Sequence, residues 1–449
     1  MSKEVKWVWL AQKCGQGSSD PLALIEKFGN IESIYEGSFE EYESAGVSER
    51  LAESLCDKSL DEAFNICIRC GRGKIGILCY DNEKFPASLR SLKNPPVVLY
   101  YVGRLPDFNK RLCVSIVGTR KMSEYGMKAA YKIAYEIAAS GAVVVSGMAL
   151  GIDGIASCAA IAARGCTVAV LGCGANLVYP KEHVQLARII KQHGAIISEF
   201  PPSTPPRGMN FPIRNRIISG LSQATAVIDA DMVSGAMITA KNAILQGRDV
   251  YAVPGNIDCD SNSGTNSLIR DGAQAILCGA DIVKNYAFMY RDSIDMTRLS
   301  LAEKHSDFDP IMVGNMQISM RLQPKPKNEG EKVPAPEAVM HKAPEPPARL
   351  KPEPEKKPAP QKNVPIVNED EIETPEIIKK AVGDNSPKVL EGLSEKQRRI
   401  FDEMPLDKAI TVDYFTKTGF TMGEVISALT VLEIKGLISS LPGALYIRK

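Results

Sequence analysis

Between residues 112 and 255 the chain repeats one pattern six times. A short run, apolar at nearly every position and rich in β-branched residues, is followed by a longer stretch with helical spacing. The runs are LCVSIVG (112–118), AVVVSG (142–147), CTVAVLG (166–172), AIISEF (195–200), ATAVIDA (224–230) and DVYAVPG (249–255). A strand with one wet face alternates apolar and polar residues, whereas a strand covered on both faces does not. Six unbroken apolar runs separated by helices predict an α/β fold, a Rossmann-like, doubly wound parallel sheet.

The flanking segments carry other patterns. Residues 1–75 read as short helices: Asp20-Pro21 starts one, Phe28-Gly29-Asn30 stops it, and two more follow near 39–45 and 48–57. This segment is acidic (Glu26, Glu32, Glu36, Glu40, Glu41, Glu43, Glu49, Glu53), which favours a structural or protein-contact role over a DNA clamp. The sheet domain is expected over 76–310. Across 311–388 the composition shifts: 11 of the 29 prolines lie between Pro324 and Pro360, and no aromatic residue occurs between Phe308 and Phe401. Such a stretch buries too little apolar surface to fold and is expected to be a disordered, semi-extended linker.

Residues 389–449 regain periodicity. LSEKQRRIFDEM, TVDYFTKTG and TMGEVISALTVLEIKG predict three helices, and LISSLPGALYIRK predicts a hairpin turning at Pro442-Gly443. Three helices and a hairpin make a winged-helix pattern. Its third helix carries Glu424 and Glu433 and no base before Lys435, so docking of a partner suits it at least as well as DNA reading.

Composition narrows the function. A chain of 449 residues exceeds one core, and a net charge of +1 confines any nucleic-acid binding to a local patch. No apolar stretch is long enough to span a bilayer, and MSKEVKWVWLAQKCGQG lacks the apolar core of a signal peptide, so a cytoplasmic protein is expected. The 11 cysteines are scattered, which suits reduced thiols. Cys67-Ile-Arg-Cys70 is a lone pair without a second one at zinc spacing, and the four histidines form no ligand pair; neither a metal nor a cofactor is expected.

Ligands of open α/β sheets bind beyond the carboxyl ends of the strands. Those ends hold Gly118-Thr119-Arg120, Ser146-Gly147 leading to Asp153, Gly172-Cys173-Gly174-Ala175-Asn176 before Tyr179-Pro180-Lys181, Ser198-Glu199, Asp229 with Asp231, and Pro254-Gly255-Asn256. Glycines admit a ligand close to the backbone, and helix starts offer amides to anions. With Arg120, Lys181, Arg207, Arg214 and Arg216, these ends form a phosphate-binding rim. Neither the dinucleotide GxGxxG, the P-loop GxxxxGK[ST] nor a GxSxG elbow is present. Glu199, Asp153 and Asp229 read as loop-fixing or capping acids in preference to catalytic ones. Phe211 and Tyr179 offer faces for unpaired bases.

The stretch FPIRNRIISGLS (211–222) concentrates the question. Ile213, Ile217, Ile218 and Leu221 mark a buried helical face; Arg214 falls inside it and Arg216 just beyond its other edge. Cations are unfavourable near a helix N-terminus unless an anion accompanies them. A phosphate at the helix start would accommodate both arginines; the alternative is that Arg214 pairs with Glu199 or Asp229, and both hold if Arg214 is structural and Arg216 faces the ligand.

The motifs VGTRKMSEYG, SGMALGID, YPKEH, ISEFPPSTPP, FPIRNRIISGLS, SGAMITAKNAILQGRDVYAVPG and GTNSLIRDGA, in this order over roughly 110–285, resemble the DNA-processing protein A (DprA/Smf) family. YDNEKFPASLRSLKNPPVVLYYVG (80–103) resembles its lead-in to the sheet, the N-terminal helices its sterile-alpha-motif or helix-hairpin-helix-like domain, and 390–449 its winged-helix domain. The resemblance implies a non-enzymatic, homodimeric protein that binds single-stranded DNA during natural transformation, protects it and loads RecA recombinase onto it. It implies DNA contacts at Gly118, Thr119, Arg120, Lys181, Phe211, Arg214, Asn215, Arg216 and Lys241; Arg207 joins them from the rim. Thr119, Asn176, Asp229 and Phe85 depart from the family's usual Ser, Asp, Glu and Tyr. A second class remains open at this level: an enzyme binding or cleaving nucleoside monophosphates, of phosphoribohydrolase type, on a related fold. Its Pro-Gly-Gly-x-Gly-Thr phosphate loop is here split into Pro254-Gly255-Asn256 and Gly264-Thr265, which favours binding over hydrolysis.

Overall fold

A computed structural model describes residues 2–316 and 394–405 and parts of 410–448. The chain divides into two compact units, Met1–Val333 and Pro334–Lys449.

The first unit is organised by a nine-stranded sheet. All six apolar runs are strands: β3 (Cys113–Val117), β4 (Val143–Ser146), β5 (Cys166–Val170), β6 (Ala195–Ser198), β7 (Ala224–Val227) and β8 (Asp249–Ala252). Three more complete it: β1 (Gly76–Cys79), β2 (Val98–Gly103) and the two-residue β9 (Gln274–Ala275). The order is β1-β2-β6-β5-β4-β3-β7-β8-β9. The run from β6 to β9 is parallel; β2 pairs antiparallel with β6, and β1 antiparallel with β2. From β3 the chain winds outward through β4, β5 and β6, then returns to the other side of β3 with β7. That reversal places a crevice beyond the ends of β3 and β7.

Alternate strand residues enter two cores. Val114, Ile116, Val144, Ala169, Ile196 and Ala226 pack with helices Glu124–Ala139, Ile152–Ala162 and Val184–His193. Cys113, Val117, Val143, Val145, Val168, Val170, Ile197 and Val227 pack with helices Asn210–Leu221 and Gly235–Leu245. Both faces are therefore dry, which is why no polar alternation appears in these strands.

Six helices precede the sheet, between Lys3–Cys14 and Asp61–Gly73. The one expected between Asp20 and Phe28 spans those residues and ends at Gly29, whose φ of 77° suits a residue without Cβ. The core of these helices continues into Cys79, Val98 and Tyr100 of β1 and β2, so they are joined to the sheet through its antiparallel edge. Helix Pro310–Asn315, with Val313 and Met316 buried in the first core, extends into the stretch expected to be linker, which is therefore folded as far as Met316. The remainder of that stretch, 317–388, is outside the described residues.

In the second unit, helix Glu395–Asp402 is opened by a Ser394 capping box. Three antiparallel strands, β10 (Ile410–Thr411), β11 (Ile438–Leu441) and β12 (Leu445–Arg448), lie in the order β10-β12-β11, so β10 adds a strand to the expected hairpin. Ile400, Phe401, Phe415, Leu429 and Leu432 form its core. Glu424, Lys435 and the Pro442-Gly443 turn lie outside the described residues.

Candidate nucleic-acid interface

The crevice predicted by the topology is an open groove of ≈ 790 Å³. One wall is Gly118, Thr119, Arg120 and Lys121 after β3. The other is Phe211, Arg214 and Asn215 with Ser234, Gly235 and Ile238. A smaller cavity adjoins it, sharing Arg120, Tyr179, Phe211 and Arg214 and adding Gly147 and Gly172.

The Gly118-Thr119-Arg120 turn is held by backbone. The Thr119 amide donates to the Asp229 carbonyl (2.6 Å), and the Thr119 hydroxyl accepts from the Lys121 amide (3.2 Å). Gly118 has no room for a side chain, since a Cβ there would lie 2.5 Å from Ile152 and 2.9 Å from the Asp229 carbonyl oxygen. The turn thereby presents Arg120 outward, exposed at the groove.

Phe211 is the centre of the rim. Its ring is partly buried, 5.6 Å from the Arg120 guanidinium, 5.9 Å from that of Arg214 and 5.5 Å from the Tyr179 ring. It rests on Gly172, where a Cβ would come within 3.1 Å of the ring. Cations above an aromatic face are attracted by its quadrupole. Asn210, at the start of the same helix and not anticipated from sequence, donates to the Gly172 carbonyl (2.9 Å) and holds the ring's backbone in place.

The two arginines depart from the partners expected of them: Arg214 is held by backbone carbonyls, and the acid goes to Arg216. Arg214 is buried; its Nη1 donates to the carbonyls of Gly147 (2.9 Å) and Val170, at the ends of β4 and β5, and its Nε to Asn215 Oδ1 (3.1 Å). Burial pulls its guanidinium down to about 10 while Asp153 pulls against it, so it stays charged at neutral pH. The partner expected for Arg214, Glu199, belongs to Arg216, whose Nη2 reaches both carboxylate oxygens at 2.5 and 2.6 Å. Arg216 is buried, with its Nε beside Gly17 of the N-terminal segment, and is not among the residues that line the groove. The helical wheel located the buried face but not what packs on it.

The acids are engaged as well, save for Asp229 Oδ1, which is buried without a hydrogen bond. Asp153 accepts from the Gly147 and Ala149 amides (3.0 and 3.4 Å); burial pushes its carboxyl up, and Arg214 pulls it down. Asp229 accepts from the amide and hydroxyl of Ser123 (both 2.8 Å), and Ser123 in turn caps helix Glu124–Ala139. Burial raises Asp229 as well, with the Ser123 bonds opposing.

The remaining predicted residues are spread around the groove. Asn215 lines it and donates to the Gly235 carbonyl (3.4 Å), tying two of its helices. Arg207 is exposed between Pro206 and Gly208, which line it. Lys181 is exposed just after Pro180 of the smaller cavity, and Lys241 is exposed on helix Gly235–Leu245 beyond the lining residues. Lys121, Val233 and Thr239 line the groove without having been singled out in the sequence; Lys121 was legible as the base beside Arg120, the other two were not.

A family model described as DNA recombination-mediator protein A matches residues 76–287. The DNA processing protein DprA of Bacillus subtilis is 40% identical over 208 residues, covering 46% of this chain and 70% of that protein. The chain belongs to the DprA/Smf family. Protein Smf of Escherichia coli is 39% identical over 209 residues, 46% of this chain and 56% of the relative. Among solved structures, the DNA processing protein A of Streptococcus pneumoniae is 30% identical, covering 62% of this chain and 97% of that one with a TM-score of 0.55. The matched DprA/Smf region contains the whole groove, from Val117 to Thr239. Among the described residues no helix is long and apolar enough to cross a membrane, and no cluster of His, Cys, Asp or Glu has the form of a metal site.

Proposed function

We propose that the chain binds single-stranded DNA in the groove beyond β3 and β7, in the cytoplasm, and processes DNA taken up in natural transformation by sheltering it and loading RecA recombinase onto it. Phosphates lie along Gly118, Thr119, Arg120, Lys181, Arg207 and Lys241, and bases on Phe211, with Arg214 and Asn215 shaping the floor. One observation carries the reading: an aromatic ring, Phe211, sits at the groove flanked by the exposed Arg120 at 5.6 Å. A stacking face beside a cation suits unpaired bases, because paired bases have no free face to offer.

A binding role is favoured over hydrolysis by the engagement of Asp153, Glu199 and Asp229 with amides, Ser123 and Arg216. A homodimer would cover Ile244 and Leu245, which are exposed on helix Gly235–Leu245 outside the groove lining. The 389–449 segment serves as a winged-helix module that docks a partner. The test is fluorescence anisotropy of a labelled single-stranded oligonucleotide and of the matching duplex across a salt series. Single-strand preference with a steep salt slope supports the groove; equal binding of duplex removes it.

A further inference from the structure

The opposite edge of the sheet carries a second basic concavity, of ≈ 400 Å³, lined by Arg104, Arg111, Arg164, Arg298 and His193 and by no carboxylate. Topology assembles it. β2 runs antiparallel to β6, so its last residue, Gly103, lies opposite Ala195 at the start of β6, and Arg104 follows there. Arg111 precedes β3. Arg164 precedes β5, at a left-handed turn (φ 54°) that closes helix Ile152–Ala162. Arg298 comes from helix Met296–Ala302, which packs on helix Glu124–Ala139.

The simplest account is that these arginines neutralise helix ends. Helices Glu124–Ala139, Ile152–Ala162 and Val184–His193 all finish at this edge. Three helix C-termini supply together about −1.5 charges, which leaves about +2.5 from four guanidinium groups. Only Arg111 makes such a contact, through Nε and Nη2 to the Gly141 carbonyl (3.2 and 2.5 Å). Arg104, Arg164 and Arg298 are exposed and, among the described residues, have no side-chain hydrogen bond or ion pair. The neighbouring acid, Asp295, is engaged in capping Arg298's own helix (2.9 and 3.0 Å).

Convergent guanidinium forks without counter-charge match phosphate oxygens. No Phe, Tyr or Trp lines the pocket, so it has no platform for stacking a base. We propose that this pocket is a second phosphate-binding site, taking closely spaced phosphates of a free polyphosphate or of a nucleic-acid backbone. It does not depend on the groove, from which the length of the strands separates it.

The experiment titrates the full chain with inorganic pyrophosphate by calorimetry and with a labelled duplex by anisotropy. It is repeated on Arg104→Ala/Arg164→Ala/Arg298→Ala and on Arg120→Ala, with thermal melting to confirm that both variants fold. Arg111 is left intact because it holds the Gly141 carbonyl. The triple variant should lose at least about tenfold in affinity, since charge-assisted bonds are removed, and Arg120→Ala should keep it. Loss for pyrophosphate alone identifies a free polyphosphate; loss for duplex, with pyrophosphate competing, identifies a backbone. Unchanged affinity of the triple variant for both probes, or loss in Arg120→Ala alone, overturns the site.

Discussion

Arg216 and Glu199 form a buried ion pair in which one guanidinium nitrogen reaches both carboxylate oxygens, at 2.5 and 2.6 Å. The Gly17 amide donates to the same carboxylate (3.4 Å), and a Cβ on Gly17 would lie 2.9 Å from Ile213. The pair therefore joins the end of β6, helix Asn210–Leu221 and the N-terminal helices. Burial pushes the Glu199 carboxyl up, and Arg216 and the Gly17 amide pull it down. Arg216 of the Arg214-Asn215-Arg216 stretch is thus an internal clamp.

Arg216→Met should leave Glu199 charged and unpaired inside the protein, at a cost of about 3–5 kcal/mol. Adding Glu199→Leu should restore most of that, because an apolar pair of similar volume needs no desolvation. Urea denaturation of the single and double variants measures both effects. Single-strand affinity of the folded double variant should match the parent; a deficit would return Arg216 to the groove.

Arg120→Ala and Lys181→Ala should each weaken single-strand binding by a similar factor for every sequence, since phosphates carry no sequence information. Each should also reduce the salt slope by about 0.7 per lost phosphate contact. Anisotropy on oligonucleotides of different composition at several salt concentrations reads both quantities.

Phe211→Ala should cost about 1–3 kcal/mol of single-strand affinity, the range of one stacked base. Phe211→Trp should retain it. An equal loss on duplex would show that the ring acts by shaping the Arg120 and Arg214 side chains and not by stacking.

His183 supplies a pH dependence. It is fully buried, with Nδ1 donating to the Met148 carbonyl (3.1 Å), and burial lowers its pKa below 6.5. The unfolded chain then binds the proton more readily than the folded one. Stability is complete above pH ~6.5 and falls as pH drops toward the folded value, by up to about 1.4 kcal/mol per unit. His183→Gln should flatten that slope in melting curves. Because His183 lies two residues after Lys181, acidification should also weaken single-strand binding in the parent more than in the variant.

Removing residues 320–449 should leave single-strand affinity nearly unchanged, because every groove-lining residue lies between Val117 and Thr239. Anisotropy of the shortened chain measures this; a collapse in affinity would give the C-terminal unit a direct part in binding.

The sheet was legible because burial on both faces leaves a one-dimensional trace. A strand with dry faces must be apolar throughout, and β3 to β8 each fall inside a predicted run. Local chemistry was legible for the same reason: Asp20-Pro21 at the start of a helix and Gly29 at its end are decided by near neighbours. β1, β2 and β9 were not assigned, since the first two pair antiparallel at the edge and the third has only two residues. The convergence of Arg104, Arg111, Arg164 and Arg298 was invisible, as they lie on four segments gathered only by strand order.

The sequence alone determined six of the nine strands of the sheet, β3 to β8, with helix ends such as that at Gly29, the basic and aromatic character of the rim and the edge at which it would lie. Which arginine stands where was decided by tertiary packing. Arg214 found two carbonyls at the ends of β4 and β5, and Arg216 found Glu199, itself bonded to Gly17 from 182 residues away. Residue spacing sets the direction of a side chain on its helix, but its electrostatic partner comes from whichever distant element packs against that face.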